Sequence, residues 1–215
     1  ADLIEAQPVS GRPAAMNRVA YYAGAIAFMF LLLSAAQGAL SLMDERDNGI
    51  LERIVAGPGG IGVVVNGKFA WLALQGLLQT ALIFAVAGVA YHVDVLATPG
   101  RWFAVAALSS SAAAGIALAL VTACRSRAQA QTLTTVAILV MSAVGGSMVP
   151  RFFMPGWLQD IGWITPTTWV LEAWSSAVWR AEPLVAAALP LGMLALCAVA
   201  TLLVAHLLAR RLARG

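Results

Sequence analysis

One stretch of the sequence matches the beginning of a phosphate-binding loop. Residues 62–68 read Gly-Val-Val-Val-Asn-Gly-Lys, and this spacing of Gly, Gly and Lys is the one that cradles nucleotide phosphates. The next residue is Phe69, where a Ser or Thr would be needed to hold magnesium. The stretch also follows no predicted strand and leads into a long apolar run. We therefore predict no nucleotide site here, and any ATP that the protein uses is hydrolysed by another chain.

The other reactive side chains are few and scattered. The two histidines, His92 and His206, have no Cys, Asp or Glu at the spacing of a metal site. Cys124 and Cys197 lie in or beside apolar runs, as buried cysteines do. No hydrolase or zinc-protease motif is present. We expect no catalytic residue, no metal site and no cofactor in this chain, and we expect that it is not an enzyme.

The composition is that of an integral membrane protein. Of the 215 residues, 61% are apolar and only 11% are charged, whereas a soluble domain has about 25% charged residues. The net charge of +3 would suit a protein that binds nucleic acid, but an excess of Lys and Arg in membrane-protein loops explains it better. The middle parts of the apolar runs contain almost no ionisable residue, which argues against an ion-coupled carrier.

We predict an all-α fold, a polytopic bundle of transmembrane helices that forms one domain over residues 1–215. A helix needs about 20 mostly apolar residues to cross a bilayer. The third apolar run is rich in small residues at positions 109–115, which favours close helix–helix contact rather than a polar conduit. Five runs are long enough to span, at residues 19–42, 62–91, 102–123, 131–149 and 184–208.

The densest group of charges in the chain lies between the first two spans, at residues 43–58. The apolar residues of this stretch recur at spacings of one, three and four, which places them on one face of a helix. Gly57 and Pro58 end that helix. We predict an amphipathic helix over residues 43–58, with an apolar face formed by Ile50, Leu51, Ile54 and Val55.

Residues 150–182 are too interrupted to form a normal span. Three prolines divide the segment into short apolar runs, at Pro150, Pro155 and Pro166. Such a segment lies at the membrane interface or re-enters the membrane. It also contains five tryptophans, which suit the headgroup layer. We predict a re-entrant helical hairpin here.

The Lys and Arg residues favour one orientation in the membrane. With five spans the loops alternate between two sides, and one side holds eight of the thirteen basic residues. Because loops rich in Lys and Arg stay in the cytoplasm, we predict that this side faces the cytoplasm and that the hairpin faces outward. We expect a multi-pass protein of a bacterial cell membrane. The loops of the basic side are residues 43–68, 124–130 and 209–215.

Three passages, taken together, resemble the membrane subunit of type-2 ATP-binding-cassette (ABC) exporters. Residues 21–32, from Tyr-Tyr-Ala-Gly to Phe-Leu-Leu, are similar to the second span of that family. Residues 45–53, Glu-Arg-Asp-Asn-Gly-Ile-Leu-Glu-Arg, are similar to its cytoplasmic coupling helix, although Ile50 stands where Thr is commoner. Residues 145–169 are similar to its outer hairpin. The family has six spans per subunit, so we expect this chain to be a fragment that lacks the first span.

The resemblance implies the permease subunit of an exporter, without an ATPase site of its own. Such a subunit pairs with a second permease subunit, as a homodimer or heterodimer, and binds an ABC ATPase subunit that carries ATP and Mg²⁺. The implied cargo is a hydrophobic or amphiphilic compound: a drug, a lipid or a lipid-linked polymer. The alternative is an ATP-independent carrier or a membrane-embedded enzyme.

The resemblance also implies roles for particular residues. In the coupling helix, the residues implied to contact the ATPase subunit are Glu45, Arg46, Gly49, Ile50, Leu51, Glu52, Arg53 and Ile54. In the hairpin, the residues implied to close the outer end are Gly145, Gly146, Pro150, Pro155, Pro166, Trp169 and Glu172. Two simpler interpretations stay open, in which the amphipathic helix lies on the lipid surface and the tryptophans only anchor the protein.

Overall fold

The computed structural model describes residues 14–91, 99–180 and 184–212, and within these ranges all regular structure is helical. A bilayer offers the backbone no hydrogen-bond partners, and helices satisfy their N–H and C=O groups internally. The predicted all-α fold class is confirmed. His92, the end of the hairpin segment at residues 181–182 and the last residues of the basic loop at 209–215 lie wholly or partly outside the described residues.

Within the described ranges, five helices are long and apolar enough to cross a membrane, as the sequence predicts. Their ends differ from those of the predicted spans, because a helix can continue beyond the hydrocarbon layer. The five helices are α1 (Ala14–Asp47), α3 (Gly60–Tyr91), α4 (Pro99–Thr122), α5 (Arg127–Gly145) and α8 (Leu184–Leu212).

Three short helices and two single turns complete the described structure. One short helix connects α1 to α3, and the other two form a hairpin between α5 and α8. The interrupted segment predicted at residues 150–182 thus contains two short helices, and its re-entrant position in the bilayer stays a prediction. The short elements are α2 (Ile50–Val55), a 3₁₀ turn (Arg151–Phe153), α6 (Gly156–Gly162), α7 (Pro166–Trp174) and a π-helical turn (Ser175–Trp179).

Two glycines with positive φ end helices earlier than the hydrophobic pattern indicates. Gly49 has a φ of 69° and separates α1 from α2, so the single helix predicted over residues 43–58 is divided, and its first residues continue α1. Gly146 has a φ of 100° and ends α5, so residues 146–149 lie beyond the fourth spanning helix. Glycine adopts this left-handed conformation without the steric cost of a Cβ atom, which is why it commonly ends helices.

Helix α4 lies at the centre of the bundle. It contacts every other long helix, α1, α3, α5 and α8, and also α7. Its small residues Ser109, Ser110 and 112–115 are buried. Small side chains let helix backbones approach closely in a membrane, where lipid supplies no hydrophobic drive for association. The predicted helix–helix contact along this stretch is confirmed.

Gly115 of α4 faces α8 at close range. A Cβ atom at this position would overlap the hydroxyl oxygen of Thr201 and would lie 3.1 Å from the carbonyl oxygen of Ala198. The Thr201 hydroxyl is itself held by a 2.7 Å hydrogen bond to the carbonyl oxygen of Cys197. The carbonyl group of Ala198 belongs to the α8 backbone and moves only if the helix moves. The spacing of α4 and α8 therefore requires a glycine here.

We expect Gly115→Ala to destabilise the protein by about 1–3 kcal/mol, because the added methyl group overpacks the contact between α4 and α8. The free energy of unfolding, measured by titration with SDS and circular dichroism, tests this. Gly192→Ala on α8 is the matched control, since a Cβ atom there meets nothing within 4 Å. The control should be unchanged or slightly more stable, because Ala favours helix over Gly. Equal stability losses in the two variants would contradict the close contact.

Candidate functional site

Helix α2 is attached to the bundle by one buried leucine. Leu51 is 3% exposed and packs with Leu42 of α1 and Val64 of α3, with Val55 and Ile61 beside them. A helix of six residues has little stability of its own. This small cluster therefore positions α2 against the ends of α1 and α3.

The opposite side of α2 is exposed. Ile50 and Ile54 lie one helical turn apart and are 44% and 43% exposed, and Glu52 and Arg53 are exposed as well. Leu51, which the resemblance places at the contact with the ATPase, is instead buried within the chain. A short helix needs some of its apolar residues to hold it on the bundle, so the predicted apolar face is divided between the two sides.

Glu45 and Lys68 join α1 to α3. Lys68 Nζ lies 2.7 Å from Glu45 Oε1 and 2.8 Å from the hydroxyl oxygen of Ser41. Only 16% of the Lys68 side chain and 28% of the Glu45 side chain are exposed. The Glu45 carboxylate is thus directed at α3, and the pair fixes the two helices relative to each other near α2.

The stretch that matches a phosphate-binding loop is helical. Residues 62–68 lie within α3, which begins at Gly60. Most of their backbone N–H groups are therefore used in the helix and cannot surround a phosphate. Its lysine, Lys68, is paired with Glu45. This stretch is therefore part of a long helix and has no phosphate-binding-loop conformation.

Asp44 and Arg46 join the end of α1 to the turn between α4 and α5. The Asp44 carboxylate pairs with Arg127. Arg46 Nη1 donates a hydrogen bond of 3.1 Å to the carbonyl oxygen of Arg125. Both contacts lie on the surface, where water screens the charges and such contacts contribute little to stability. The charges at the end of α1 therefore mainly orient neighbouring elements of this chain.

No group of three or more His, Cys, Asp or Glu side chains that could hold a metal ion occurs among the described residues. Both cysteines are free. Cys124, in the turn after α4, is 1% exposed, and burial raises the pKa of its thiol. A thiol with a raised pKa stays protonated at neutral pH and is a poor nucleophile. Cys124 thus behaves as the buried apolar side chain that its surroundings predict.

At the other end of the bundle, one hydrogen bond links the hairpin to α1. The Tyr21 hydroxyl donates to the carbonyl oxygen of Gly146 over 2.9 Å. A Cβ atom at Gly146 would lie 2.7 Å from Cγ of Arg151 and 3.2 Å from the Tyr21 hydroxyl oxygen. Gly145 packs directly against Thr167 at the start of α7. The two glycines let α1, α5 and the hairpin meet at one point.

Prolines and one threonine shape the two short helices of the hairpin. Pro155 immediately precedes α6, and Pro166 is the first residue of α7, where its missing N–H group has no helical partner to lose. The Thr168 hydroxyl donates to the carbonyl oxygen of Gly162 over 2.6 Å and lies 3.2 Å from the carbonyl oxygen of Gly145. Thr168 therefore connects α7 both to α6 and to the end of α5.

Trp169 belongs to a polar and aromatic cluster on the hairpin. Its Nε1 donates to the carbonyl oxygen of Trp163 over 2.8 Å, and the two ring centroids are 4.8 Å apart. The guanidinium carbon of Arg151 lies 4.3 Å from the ring centroid of Trp163, in a cation–π contact. Arg151 also donates to the carbonyl oxygen of Gln159 over 3.0 Å. Pro150, just before Arg151, begins this part of the chain.

Glu172 forms an ion pair with Arg180 across the π-helical turn. Glu172 Oε1 and Arg180 Nη2 are 2.5 Å apart. The side chains are 34% and 46% exposed, so water screens the pair and it contributes at most about 1 kcal/mol. Glu172 therefore steadies the end of the hairpin without being buried in it.

The largest buried side chain of the hairpin is one that the sequence analysis did not single out. Trp174 is 1% exposed. Its ring centroid lies 4.4 Å from the ring centroid of Phe84 on α3 and 6.2 Å from that of Trp102 on α4. Trp174 therefore packs inside the bundle, whereas the depth of the five tryptophans in the membrane stays a prediction. The place of Trp174 in a buried row with Thr167 and Val170, spaced three and four residues apart, is the signal that could have revealed it. The contacts of Tyr21, Arg151 and Thr168 were not predicted either.

A family model described as ABC-2 family transporter protein matches residues 5–207. The matched range includes both α2 and the hairpin. No curated protein and no solved structure matches the chain.

The Glu45–Lys68 pair is expected to act as one stabilising unit. Either Glu45→Gln or Lys68→Met leaves a partly buried charge without its partner, so the second substitution should cost less once the first is made. A double-mutant cycle of unfolding free energies should give a coupling of about 1–3 kcal/mol. The exposed Asp44–Arg127 pair is the matched control, and its coupling should be clearly smaller because water screens both charges. Similar couplings in both cycles would refute a special role for Lys68.

Proposed function

This chain belongs to the ABC-2 transporter family, and we propose that it is the permease subunit of an exporter driven by a separate ATPase subunit. ATP and Mg²⁺ bind only on that partner. The cargo is a hydrophobic or amphiphilic compound moved outward, such as a drug, a lipid or a lipid-linked polymer. The observation that carries the proposal is the exposed apolar pair on α2, Ile50 and Ile54, on a short helix fixed to the bundle by Leu51.

We infer that the end of the bundle that carries α2 faces the cytoplasm. The Arg46–Arg125 hydrogen bond and the Asp44–Arg127 ion pair bring the basic loops at 43–68 and 124–130 together at this end. Arg210 and Arg211, in the last turn of α8, belong to the same group of loops. Segments rich in Lys and Arg next to spanning helices stay in the cytoplasm, where the ATPase would be.

The exposed side of α2 suits a groove on the ATPase subunit better than a lipid surface. Full burial of an isoleucine stabilises a complex by about 1.5–3 kcal/mol, and Ile50 and Ile54 are each less than half exposed, so each can supply part of that. Glu52 lies on the same exposed part of α2 as Arg53. Helices that lie on anionic lipid are rich in Lys and Arg. An acidic residue beside a single arginine favours a protein partner that complements both charges.

A push on α2 would reach α1 and α3 together. Leu51 packs against both helices, and the Glu45–Lys68 pair holds the two near this contact. Helix α1 then continues without a break to Tyr21, which binds the hairpin at the other end. We propose α1 as the element that transmits closure of the ATPase subunits to the outer end of the permease.

We assign the hairpin to the gate at the outer end. Thr167 of α7 packs against Gly145 of α5, and the ring of Trp174 packs with Phe84 of α3 and Trp102 of α4. A cargo that leaves through this end of the bundle requires α7 to move. The Tyr21–Gly146 hydrogen bond resists that movement, and Glu172 steadies the hairpin through its pair with Arg180.

A second permease subunit would cover part of the remaining apolar surface. Helices α3 and α8 expose long apolar faces, including Trp71, Leu78, Leu82 and Leu203. Lipid can cover such faces in a cell membrane. We propose that a second permease subunit, identical or related, replaces lipid along one of them.

Substitutions on the exposed side of α2 are expected to uncouple ATP hydrolysis from export. Ile54→Asp places a charge in the proposed contact, and Glu52→Lys reverses one at its rim. Both residues are exposed in the isolated chain, so the stability of the permease should change by less than about 0.5 kcal/mol. Co-purification of the ATPase subunit and cargo-stimulated ATP hydrolysis in proteoliposomes should both fall at least about tenfold, the effect of losing about 1.4 kcal/mol of contact energy.

The matched control for Ile54→Asp is Ala128→Asp, which adds the same charge at an exposed position of the same end but outside α2. It should keep both the ATPase subunit and export. Full export by Ile54→Asp, or an equal loss in Ala128→Asp, would rule out α2 as the contact.

Tyr21→Phe is expected to loosen the outer gate. It removes the hydrogen bond to Gly146, which is worth about 1 kcal/mol, so the open population should rise about fivefold. The rate at which a membrane-impermeant maleimide labels Thr167→Cys, in a background without the native cysteines, measures that population because Thr167 is 0% exposed.

The matched control for the gate is Tyr22→Phe. Tyr22 directly follows Tyr21, and its hydroxyl makes no hydrogen bond to any residue that the structure describes. Its removal should leave the labelling rate unchanged. A rate unaffected by Tyr21→Phe would remove this hydrogen bond from the gate.

A further inference from the structure

A cleft of about 400 Å³ opens at the basic end of the bundle, and no residue of α2 or of the hairpin lines it. Residues from the ends of three spanning helices line it. Arg46 comes from α1, Thr122 and Arg125 come from the end of α4 and the turn after it, and Leu208 and Arg211 come from α8. Its volume lies within the range of about 300–1,000 Å³ that is usual for small-molecule sites.

The three arginines of the cleft have few partners. Arg46 uses Nη1 to donate to the carbonyl oxygen of Arg125. Within the described ranges, the carboxylates that form ion pairs do so with other residues, and none pairs with Arg46, Arg125 or Arg211. Guanidinium groups present several N–H donors in a planar fork that matches the oxygens of a phosphate. These donors are available to an anion.

The acidic residues at the end of α1 do not neutralise the cleft. Asp44 pairs with Arg127, and Glu45 pairs with Lys68. Neither of them, nor the exposed Asp47, lines the cleft. Like charges gathered around one space repel each other unless a counter-ion lies between them. The cleft is therefore a place where an anion would be stabilised.

One wall of the cleft is apolar. Leu208 lines it, and Val204, one helical turn earlier on the same face of α8, is 44% exposed. The neighbouring residues Leu203 and Leu207 are 59% and 61% exposed. Arg211 follows Leu208 by almost one turn. The cleft thus adjoins an exposed apolar surface of α8 that a hydrocarbon chain can cover.

We propose that this cleft binds the phosphate group of an anionic membrane lipid. The phosphate lies between the guanidinium groups of Arg46, Arg125 and Arg211, and the acyl chains follow α8 past Val204. Basic pockets between spanning helices at the cytoplasmic surface bind lipid headgroups in this way. The bound lipid holds the ends of α1, α4 and α8 together.

A soluble phosphate would offer the same charge to the three arginines. Only a lipid would also cover the apolar surface formed by Leu208 and Val204, which is why the lipid is the source that the cleft fits. The site requires only that the chain spans a membrane. It does not depend on a coupling role for α2 or on export.

Native mass spectrometry of the purified protein, with any ATPase subunit that co-purifies, can count the lipids retained from micelles of phosphatidylcholine with increasing phosphatidylglycerol. Arg125→Gln and Arg211→Gln should each weaken retention of phosphatidylglycerol about fivefold, the effect of one basic residue near an anionic headgroup. The double variant should weaken it about 25-fold if the two residues act independently. Arg210→Gln, which removes the same charge from the neighbouring position outside the cleft, should change it less than about twofold.

Equal retention of phosphatidylglycerol by the wild type and both cleft variants would overturn the site. An equal loss of retention in Arg210→Gln would also overturn it, because that result would indicate general attraction to a basic surface. Calorimetric titration of inorganic phosphate into the protein in phosphatidylcholine micelles separates the two sources. The lipid would be overturned as the ligand if inorganic phosphate binds through Arg125 and Arg211 and phosphatidylglycerol does not displace it. The ligand would then be a soluble phosphate. Displacement by phosphatidylglycerol supports the lipid.

Discussion

The close approach of α4 to every other long helix is the constraint on which the rest of the structure depends. Helices in a membrane associate through packing, because lipid is as apolar as the side chains that they would bury. The small residues at 109–115 allow that packing, and Gly115 leaves no space beside Thr201 and Ala198 of α8. With α4 in place, α1 and α3 are held on one side of the bundle in fixed positions. Helix α2 at one end of the bundle and the hairpin at the other both pack against these helices.

At the basic end, most of the charged side chains that the sequence offers to a partner contact other residues of this chain instead. Asp44, Glu45 and Arg46 contact the turn after α4 and the beginning of α3. This leaves the exposed part of α2 as a small surface, with Ile50 and Ile54 at its centre. If an ATPase subunit binds this surface as we propose, the contacts of Leu51 with Leu42 and Val64 would pass its movement on to α1 and α3.

At the opposite end, the hairpin is closed by aromatic packing and by a few hydrogen bonds to carbonyl groups. The rings of Trp174, Phe84 and Trp102 pack together, and α7 also contacts α1 and α8, so the hairpin is anchored in the core of the bundle. The Tyr21 hydroxyl adds a single link to α1. If the hairpin opens as we propose, the packed side chain would position it, and a hydrogen bond of about 1 kcal/mol could be broken and reformed.

The sequence by itself determined the all-α class, the five spanning helices and the interrupted hairpin, because these follow from local composition and from the length of apolar runs. Local signals also identified residues 43–58 as a helix-forming stretch beside the basic loops. Only the tertiary structure decided that Leu51 faces inward while Ile54 faces outward, that Lys68 binds Glu45, and that Trp174 is buried. Each of these depends on which helix lies next to which, and such contacts join residues that are far apart in the chain.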